Sequence, residues 1–126
     1  MTDPTPTLPA DALDLLARTA EVDIETRAAD GTPHSTIIWV VVVDGVAYLR
    51  SYRGATARWY REVVADPDAT IVAAGRRIGV RAVAAADDAA VAACSRGLEA
   101  KYAGDPATSA MVAPAVLGTT LRLEPR

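Results

Sequence analysis

The chain has 126 residues, 51% of them hydrophobic, which suits a single domain with one core. Its formal net charge is −3 and its arginines are spread along the sequence, so general nucleic-acid binding lacks an electrostatic basis. The longest apolar run, residues 36–43, is too short to cross a membrane as a helix, and no secretion signal is visible. One cysteine, Cys94, cannot form an internal disulfide, so we expect a reducing, cytoplasmic setting and no membrane partner.

The N-terminal part predicts a disordered lead over residues 1–9 and a single domain over residues 10–126. Apolar side chains recur at helical spacing over residues 9–20, which predicts a short amphipathic helix. Apolar and polar residues then alternate over residues 22–27, as in a strand with one face in water.

A second strand is predicted for His34–Val43, which is rich in β-branched residues and follows a turn at residues 30–33. Asp44-Gly45 closes it as a hairpin signal, and residues 46–51 form its partner strand. The run is apolar on both faces, whereas the outer face of a small barrel should meet water. Either the chain's own helices or a second copy must cover that face, and the second option predicts a homodimer.

The rest of the chain predicts further short elements separated by turns. They are a helix from Gly54–Thr56 to Ala65, a hairpin of residues 69–73 and 78–86, a helix capped by Asp87 or Asp88 and ended by Gly104, and a last strand at residues 117–124. Consecutive hairpins with isolated helices favour a mainly β fold with short helices, an antiparallel barrel rather than a parallel sheet.

The loop between the third strand and the short helix has the residue types of an anion site. Backbone N–H groups at a helix N-terminus lack internal partners and carry partial positive charge. Donors of a kind suited to a phosphate monoester surround the same point: Ser51, Arg53, Thr56 and Arg58. The alternative is that Thr56 is only an N-cap and that the arginines pair with Glu62 or Asp66 in solvent.

The strand before this loop places Tyr48, Arg50 and Tyr52 on one face. That face lines either a cofactor cleft or the solvated exterior of the barrel. His34 is the sole histidine, and no second ligand stands at metal-binding spacing from it, so no metal site is predicted. Acid-base candidates are few, and a cofactor that carries the reactive atoms would explain how such a chain performs chemistry.

Several motifs together resemble the split-barrel superfamily that binds flavins, which includes pyridoxamine 5′-phosphate oxidases and deazaflavin-dependent nitroreductases. They are Gly31-x-Pro33-x-x-Thr36-x-x-Trp39, Asp44-Gly45-x-x-Tyr48-x-Arg50-Ser51, Arg53-Gly54, Arg58-Trp59-Tyr60-Arg61 and Asp66-Pro67. With the closing Thr119-Thr120-Leu121-Arg122-Leu123, the pattern is most similar to the domain of unknown function 2255 family. The resemblance covers about residues 24–123.

The resemblance implies a six-stranded antiparallel split β-barrel, a homodimer, and FMN or a deazaflavin coenzyme held at the subunit interface. It implies hydride transfer to or from a small organic substrate, which makes the protein an oxidoreductase. The implied phosphate contacts are Arg50, Ser51, Arg53, Thr56 and Arg58, and the implied lining of the flavin ring is Thr36, Ile37, Ile38 and Trp39.

Two other classes of function stay open from the sequence. Where deazaflavin enzymes of this superfamily carry a basic segment before the ring-lining strand, this chain has Arg27-Ala28-Ala29-Asp30. That difference motivates a cofactor-free split barrel that binds or transforms a small ligand without redox chemistry. The third class is a dimer with a purely structural or partner-binding role.

Overall fold

The computed structural model describes residues 6–126, so the first part of the predicted lead, residues 1–5, lies outside the described residues. The strands are β1 Val22–Arg27, β2 Pro33–Ile38, β3 Val41–Val43, β4 Val46–Leu49, β5 Asp68–Ala73, β6 Arg76–Ala84 and β7 Leu121–Pro125. The α-helices are α1 Ala10–Arg18, α2 Arg58–Ala65, α3 Asp88–Lys101 and α4 Thr108–Met111, with 3-10 helices at Gly54–Thr56 and Pro114–Thr119.

All strands form one antiparallel sheet in the order β2-β1-β5-β6-β7-β4-β3. A flat sheet of this size would hold its two edge strands about 29 Å apart. The edges here are β2 and β3, and only Trp39 and Val40 separate them in sequence, a connection that reaches at most about 11 Å. The sheet therefore curls until its edges meet, which confirms the split-barrel class.

The predicted strand number of six is wrong, because residues 6–126 already form seven strands. The predicted strand His34–Val43 breaks at Trp39 and Val40 into β2 and β3. At the break, Val40 lies inside the barrel while its neighbour Val41 is buried on the other side of the sheet. The Val40 carbonyl accepts hydrogen bonds from Lys101 Nζ (2.7 Å) and Tyr102 Oη (3.3 Å). Helix α3 therefore holds the break in place.

Two clusters of buried residues form the core. The larger fills the barrel and also contains Leu8, which belongs to the described end of the predicted lead. The smaller lies between α3, α4 and the outer side of β3 and β4. Helix α3 approaches β3 closely, because a Cβ atom on Gly97 would lie 2.8 Å from Val43 Cγ2 and 3.0 Å from Val41 Cβ. The chain's own helix thus covers part of the apolar run, whereas Ile37 stays 66% exposed.

The helix predictions are correct in position and inexact in extent. Asp87 is the N-cap of α3 and accepts a hydrogen bond from the Ala90 N–H (3.2 Å). The predicted helix beginning at Gly54 is divided, because extended Ala57 ends the 3-10 turn and serves as the N-cap of α2. The residues predicted to open the last strand form a 3-10 helix instead. Among the residues that the structure describes, no helix has the length and hydropathy needed to cross a membrane.

Candidate functional site

A cavity of about 270 Å³ opens where the end of β2, the residues after β4, the start of α2 and the region of α4 meet. Its lining residues are Glu21, Ile37, Ile38, Trp39, Arg50, Tyr52, Trp59, Ala107 and Met111. The chain has two tryptophans, and both belong to this lining. We call this site the aromatic cavity.

The wall formed by Trp39 is held rigidly. The indole of Trp39 stacks on the ring of Tyr102 with centroids 3.8 Å apart and planes 4° from parallel. The Tyr102 hydroxyl donates to the carbonyl oxygen of Ala20 (2.7 Å), and burial raises the pKa of this phenol to about 12. Because Tyr102 stays protonated at neutral pH and fixed at both ends, Trp39 presents a preformed aromatic surface.

Arg50 forms the buried end of the cavity and is only 2% exposed. Its Nε donates to Thr120 Oγ1 (3.0 Å), its Nη1 to Ser95 Oγ (2.8 Å) and the Met111 carbonyl (3.2 Å), and its Nη2 to the Val91 carbonyl (3.0 Å). Burial lowers the pKa of this guanidinium, which nevertheless stays charged at neutral pH. On the predicted face of Tyr48, Arg50 and Tyr52, the first two residues are thus buried beneath α3 and α4, whereas Tyr52 is exposed.

The mouth of the cavity carries large side chains in contact with solvent. Ile37 is 66% exposed and Tyr52 is 57% exposed. The cavity volume lies just under the ~300–1,000 Å³ that ligand sites usually provide. The cavity of one chain therefore has room for a small molecule, and apolar side chains are exposed at its entrance.

The predicted phosphate loop is tightly bonded within itself. Ser51 is buried, its Oγ donates to the Gly54 carbonyl (2.7 Å), and Thr56 Oγ1 donates to the Arg53 carbonyl (3.1 Å). These bonds leave both hydroxyl groups able to accept but not to donate. Thr56 is not the N-cap of α2; that position is Ala57, and no side chain caps the helix there. The first N–H groups of α2 thus have no side-chain partner.

The two arginines of the loop remain in solvent. Arg53 and Arg58 are exposed, and Arg58 Nη2 donates to Thr36 Oγ1 over 3.4 Å. The predicted pairing of Arg58 with Glu62 is present at 4.0 Å between Nε and Oε1. The structure therefore joins the predicted phosphate loop to the predicted ring-lining strand through Arg58 and Thr36.

Eight of the nine predicted site residues fall into two groups, and the ninth, Thr36, lies on β2 and accepts the hydrogen bond from Arg58. The aromatic cavity gathers Ile37, Ile38, Trp39 and Arg50. The loop before α2 carries Ser51, Arg53, Thr56 and Arg58. Trp59, the second residue of α2, lines the cavity and connects the two groups.

A polar cluster beside the loop was not predicted. Glu62 accepts hydrogen bonds from Thr26 Oγ1 (2.7 Å) and from His34 Nδ1 (2.8 Å). Burial disfavours the Glu62 carboxylate, yet these bonds and the charge of Arg58 outweigh it and lower its pKa. Thr26 and His34 are directly opposed on β1 and β2, whereas Glu62 comes from a distant part of the chain. Only the tertiary fold brings the three together, so no local signal reveals them.

Within residues 6–126 no group of three or more His, Cys, Asp or Glu side chains is arranged to hold a metal ion. Burial raises the pKa of the Cys94 thiol to about 11, so this thiol is neutral at pH 7.

Comparison with protein families matches residues 12–123 to a family described as "Uncharacterized protein conserved in bacteria (DUF2255)". No curated protein matches the chain. The family resemblance stated from the sequence is thereby confirmed.

Solved structures share the fold at low sequence identity. A putative pyridoxamine 5′-phosphate oxidase from Listeria innocua is 16% identical with a TM-score of 0.66, over 92% of this chain and 91% of that one. HutZ, a heme storage protein from Vibrio cholerae, is 13% identical with a TM-score of 0.69, over 95% and 91%. The conserved hypothetical protein Rv2991 from Mycobacterium tuberculosis is 18% identical with a TM-score of 0.64, over 98% and 83%.

Proposed function

The chain belongs to the DUF2255 family of uncharacterised bacterial proteins, and we propose that it binds a flavin or deazaflavin and exchanges hydride with a small organic substrate. The observation that carries this proposal is the junction at Trp59. There a helix N-terminus without a side-chain cap and two exposed arginines, Arg53 and Arg58, adjoin a cavity walled by aromatic rings. An anion site next to an aromatic surface is what a planar, phosphorylated cofactor needs.

The residues present fit such a group. Arg53, Arg58 and the first N–H groups of α2 would hold the phosphate by charge-assisted hydrogen bonds. The exposed side chains of Ile37 and Tyr52 would lie against the ring, which would bury their apolar surface. The bound cofactor supplies hydride transfer, and the protein supplies position and electrostatics.

The remaining cavity residues would act on the substrate. Trp39, held by Tyr102, and Trp59 exclude water and orient a planar molecule. The structure places no histidine in the cavity lining, because His34 is bound to Glu62. In this arrangement the chain positions its ligands, and the carboxylate in the cavity lining is that of Glu21.

We propose that a second copy of the chain completes the site. The cavity is small for a whole cofactor, and Ile37 and Tyr52 at its mouth expose apolar surface. A homodimer would cover that surface and enclose the ring. Sedimentation velocity is expected to show a dimer, and a monomer at micromolar concentrations would contradict the shared cleft.

The absorbance spectrum of the purified protein, followed by mass spectrometry of whatever is released on denaturation, tests the proposed cofactor. We expect flavin or deazaflavin absorbance, or saturable binding near one molecule per chain on reconstitution. Arg53→Ala with Arg58→Ala should weaken that binding at least about tenfold, since two charge-assisted bonds are lost. The control is Arg18→Ala with Arg76→Ala, which removes the same charge from exposed ion pairs that are not part of the cavity lining.

A cofactor-free function is the second candidate, and one observation favours it. Ser51 and Thr56, predicted as phosphate donors, already donate to carbonyls of their own loop. Release of a different small molecule, with no flavin or deazaflavin binding at micromolar concentrations, would support it. A haem spectrum would relate the chain to the heme storage protein that shares its fold.

A further inference from the structure

Arg50 is a buried cation without a counter-charge in the described part of the chain. Its four acceptors are hydroxyl and carbonyl oxygens, all uncharged. None of the ion pairs within residues 6–126 includes Arg50. Cys94, a neighbouring ionisable group, holds its proton at neutral pH. Since an uncompensated buried charge costs several kcal/mol, the fold retains this guanidinium at the expense of stability.

The guanidinium also keeps one donor free. Arginine has five N–H groups, and the protein engages one on Nε, two on Nη1 and one on Nη2. The second Nη2 hydrogen has no partner among residues 6–126. Because Arg50 lines the aromatic cavity, its unbalanced charge acts on a molecule inside it.

The other cavity residues define what surrounds that charge. Trp39, Trp59 and Met111 are apolar, and the cavity holds about 270 Å³. These walls suit a flat ring, with an anionic substituent directed at Arg50. Glu21, exposed and also in the lining, forms no ion pair with Arg50 and repels a negative group from its own side. The charges thus orient an acid with its carboxylate inward.

We infer that the aromatic cavity binds a small aromatic or conjugated carboxylic acid, with the carboxylate on Arg50. The inference rests on the proposed function, because it names the substrate class of that same site. The binding step itself needs no cofactor and can be measured without one.

The test compares 4-nitrobenzoate with 4-nitrobenzamide, two probes of nearly equal shape that differ in charge. Both tryptophans lie in the cavity, so quenching of tryptophan fluorescence reports occupancy directly. We expect the acid to bind at least about tenfold more tightly than the amide, the advantage of a charge-assisted hydrogen bond. Equal affinities, or tighter binding of the amide, would overturn the inference.

Variants add a second readout. Arg50→Met should abolish the preference for the acid, provided that circular dichroism shows a native fold. Glu21→Gln, a change at an exposed residue, should tighten acid binding and leave amide binding unchanged, whereas weaker acid binding in this variant would count against the orientation. These titrations contain no flavin, so they test the substrate class separately from the cofactor. If the protein prefers the acid but binds no flavin, only the proposed cofactor is refuted. If it binds flavin but does not prefer the acid, only the proposed substrate class is refuted.

Discussion

Glu62→Gln removes one negative charge from the cluster that ties α2 to β1 and β2 and changes little else in shape. In the wild type the carboxylate accepts hydrogen bonds from Thr26 (2.7 Å) and His34 (2.8 Å). The Glu62 side chain is 10% exposed and the His34 side chain 27%, so solvent screens these bonds only weakly. The amide can still accept a hydrogen bond, but without the charge.

The expected loss follows from the two bonds. A hydrogen bond to a charged group contributes about 1.5–3 kcal/mol and a neutral one about 0.5–1.5 kcal/mol, a difference of about 1 kcal/mol per bond. Two bonds therefore predict that Glu62→Gln lowers the free energy of unfolding by about 2 kcal/mol. For a chain of this size the melting temperature should fall by about 8 °C.

Urea denaturation at pH 7 measures this loss, with Glu99→Gln as the matched control. Glu99 is exposed on α3, so its replacement should cost less than about 0.5 kcal/mol. If Glu62→Gln costs no more than Glu99→Gln, the cluster of Glu62, Thr26 and His34 does not stabilise the fold.

The same variant predicts a pH dependence. Hydrogen bonding lowers the pKa of Glu62 in the folded state below its ordinary value of 4.5. A group whose pKa is lower in the folded state contributes its full stabilisation above its pKa in the unfolded state. That stabilisation is lost as the pH falls through its pKa in the folded state. The difference between wild type and Glu62→Gln should therefore shrink as the pH falls below about 5.

Three further predictions concern the helical side of the molecule. Gly97→Ala should lower the free energy of unfolding measured in urea, because the new Cβ would lie 2.8 Å from Val43 Cγ2. This overpacking should outweigh the ~1 kcal/mol that alanine gains over glycine in helix propensity, and a more stable variant would contradict this. Cys94, fully buried, should react with Ellman's reagent only after denaturation, and rapid native labelling would contradict its burial. Burial lowers the pKa of Lys101 from 10.5 to about 8, so between pH 8 and 10.5 the unfolded chain binds more protons than the folded one. The stability of the wild type relative to Lys101→Met should therefore increase as the pH rises through this range. An unchanged difference would contradict the lowered pKa.

The sequence predicts the strands well, because residues 22–27 alternate and Asp44-Gly45 marks a tight turn with positive φ at both residues. It does not reveal that residues 34–43 bend. Val40 and Val41 are both apolar, and only the positions of the barrel core and α3 decide that they face opposite sides. The error in strand number comes from that single bend.

The candidate site shows the same limit. Arginines and small residues in one segment predict an anion site before α2, and the structure shows that Arg53 and Arg58 are exposed there. The sequence does not show that Arg50 is buried, because its acceptors are the hydroxyls of Ser95 and Thr120 and carbonyl groups of α3 and α4, all far away along the chain. Nor does it show Glu62 beside His34, which depends on how α2 packs on the sheet.

Titration of the protein with FMN and with a deazaflavin, followed by the fluorescence of Trp39 and Trp59, tests the proposed function most directly. The structure predicts saturable quenching by one of them near one molecule per chain. Arg53→Ala with Arg58→Ala should weaken it at least about tenfold, and Arg18→Ala with Arg76→Ala should leave it unchanged. Absence of quenching by either compound at micromolar concentrations, or equal loss in both double variants, would contradict a cofactor site at the junction of α2 and the aromatic cavity.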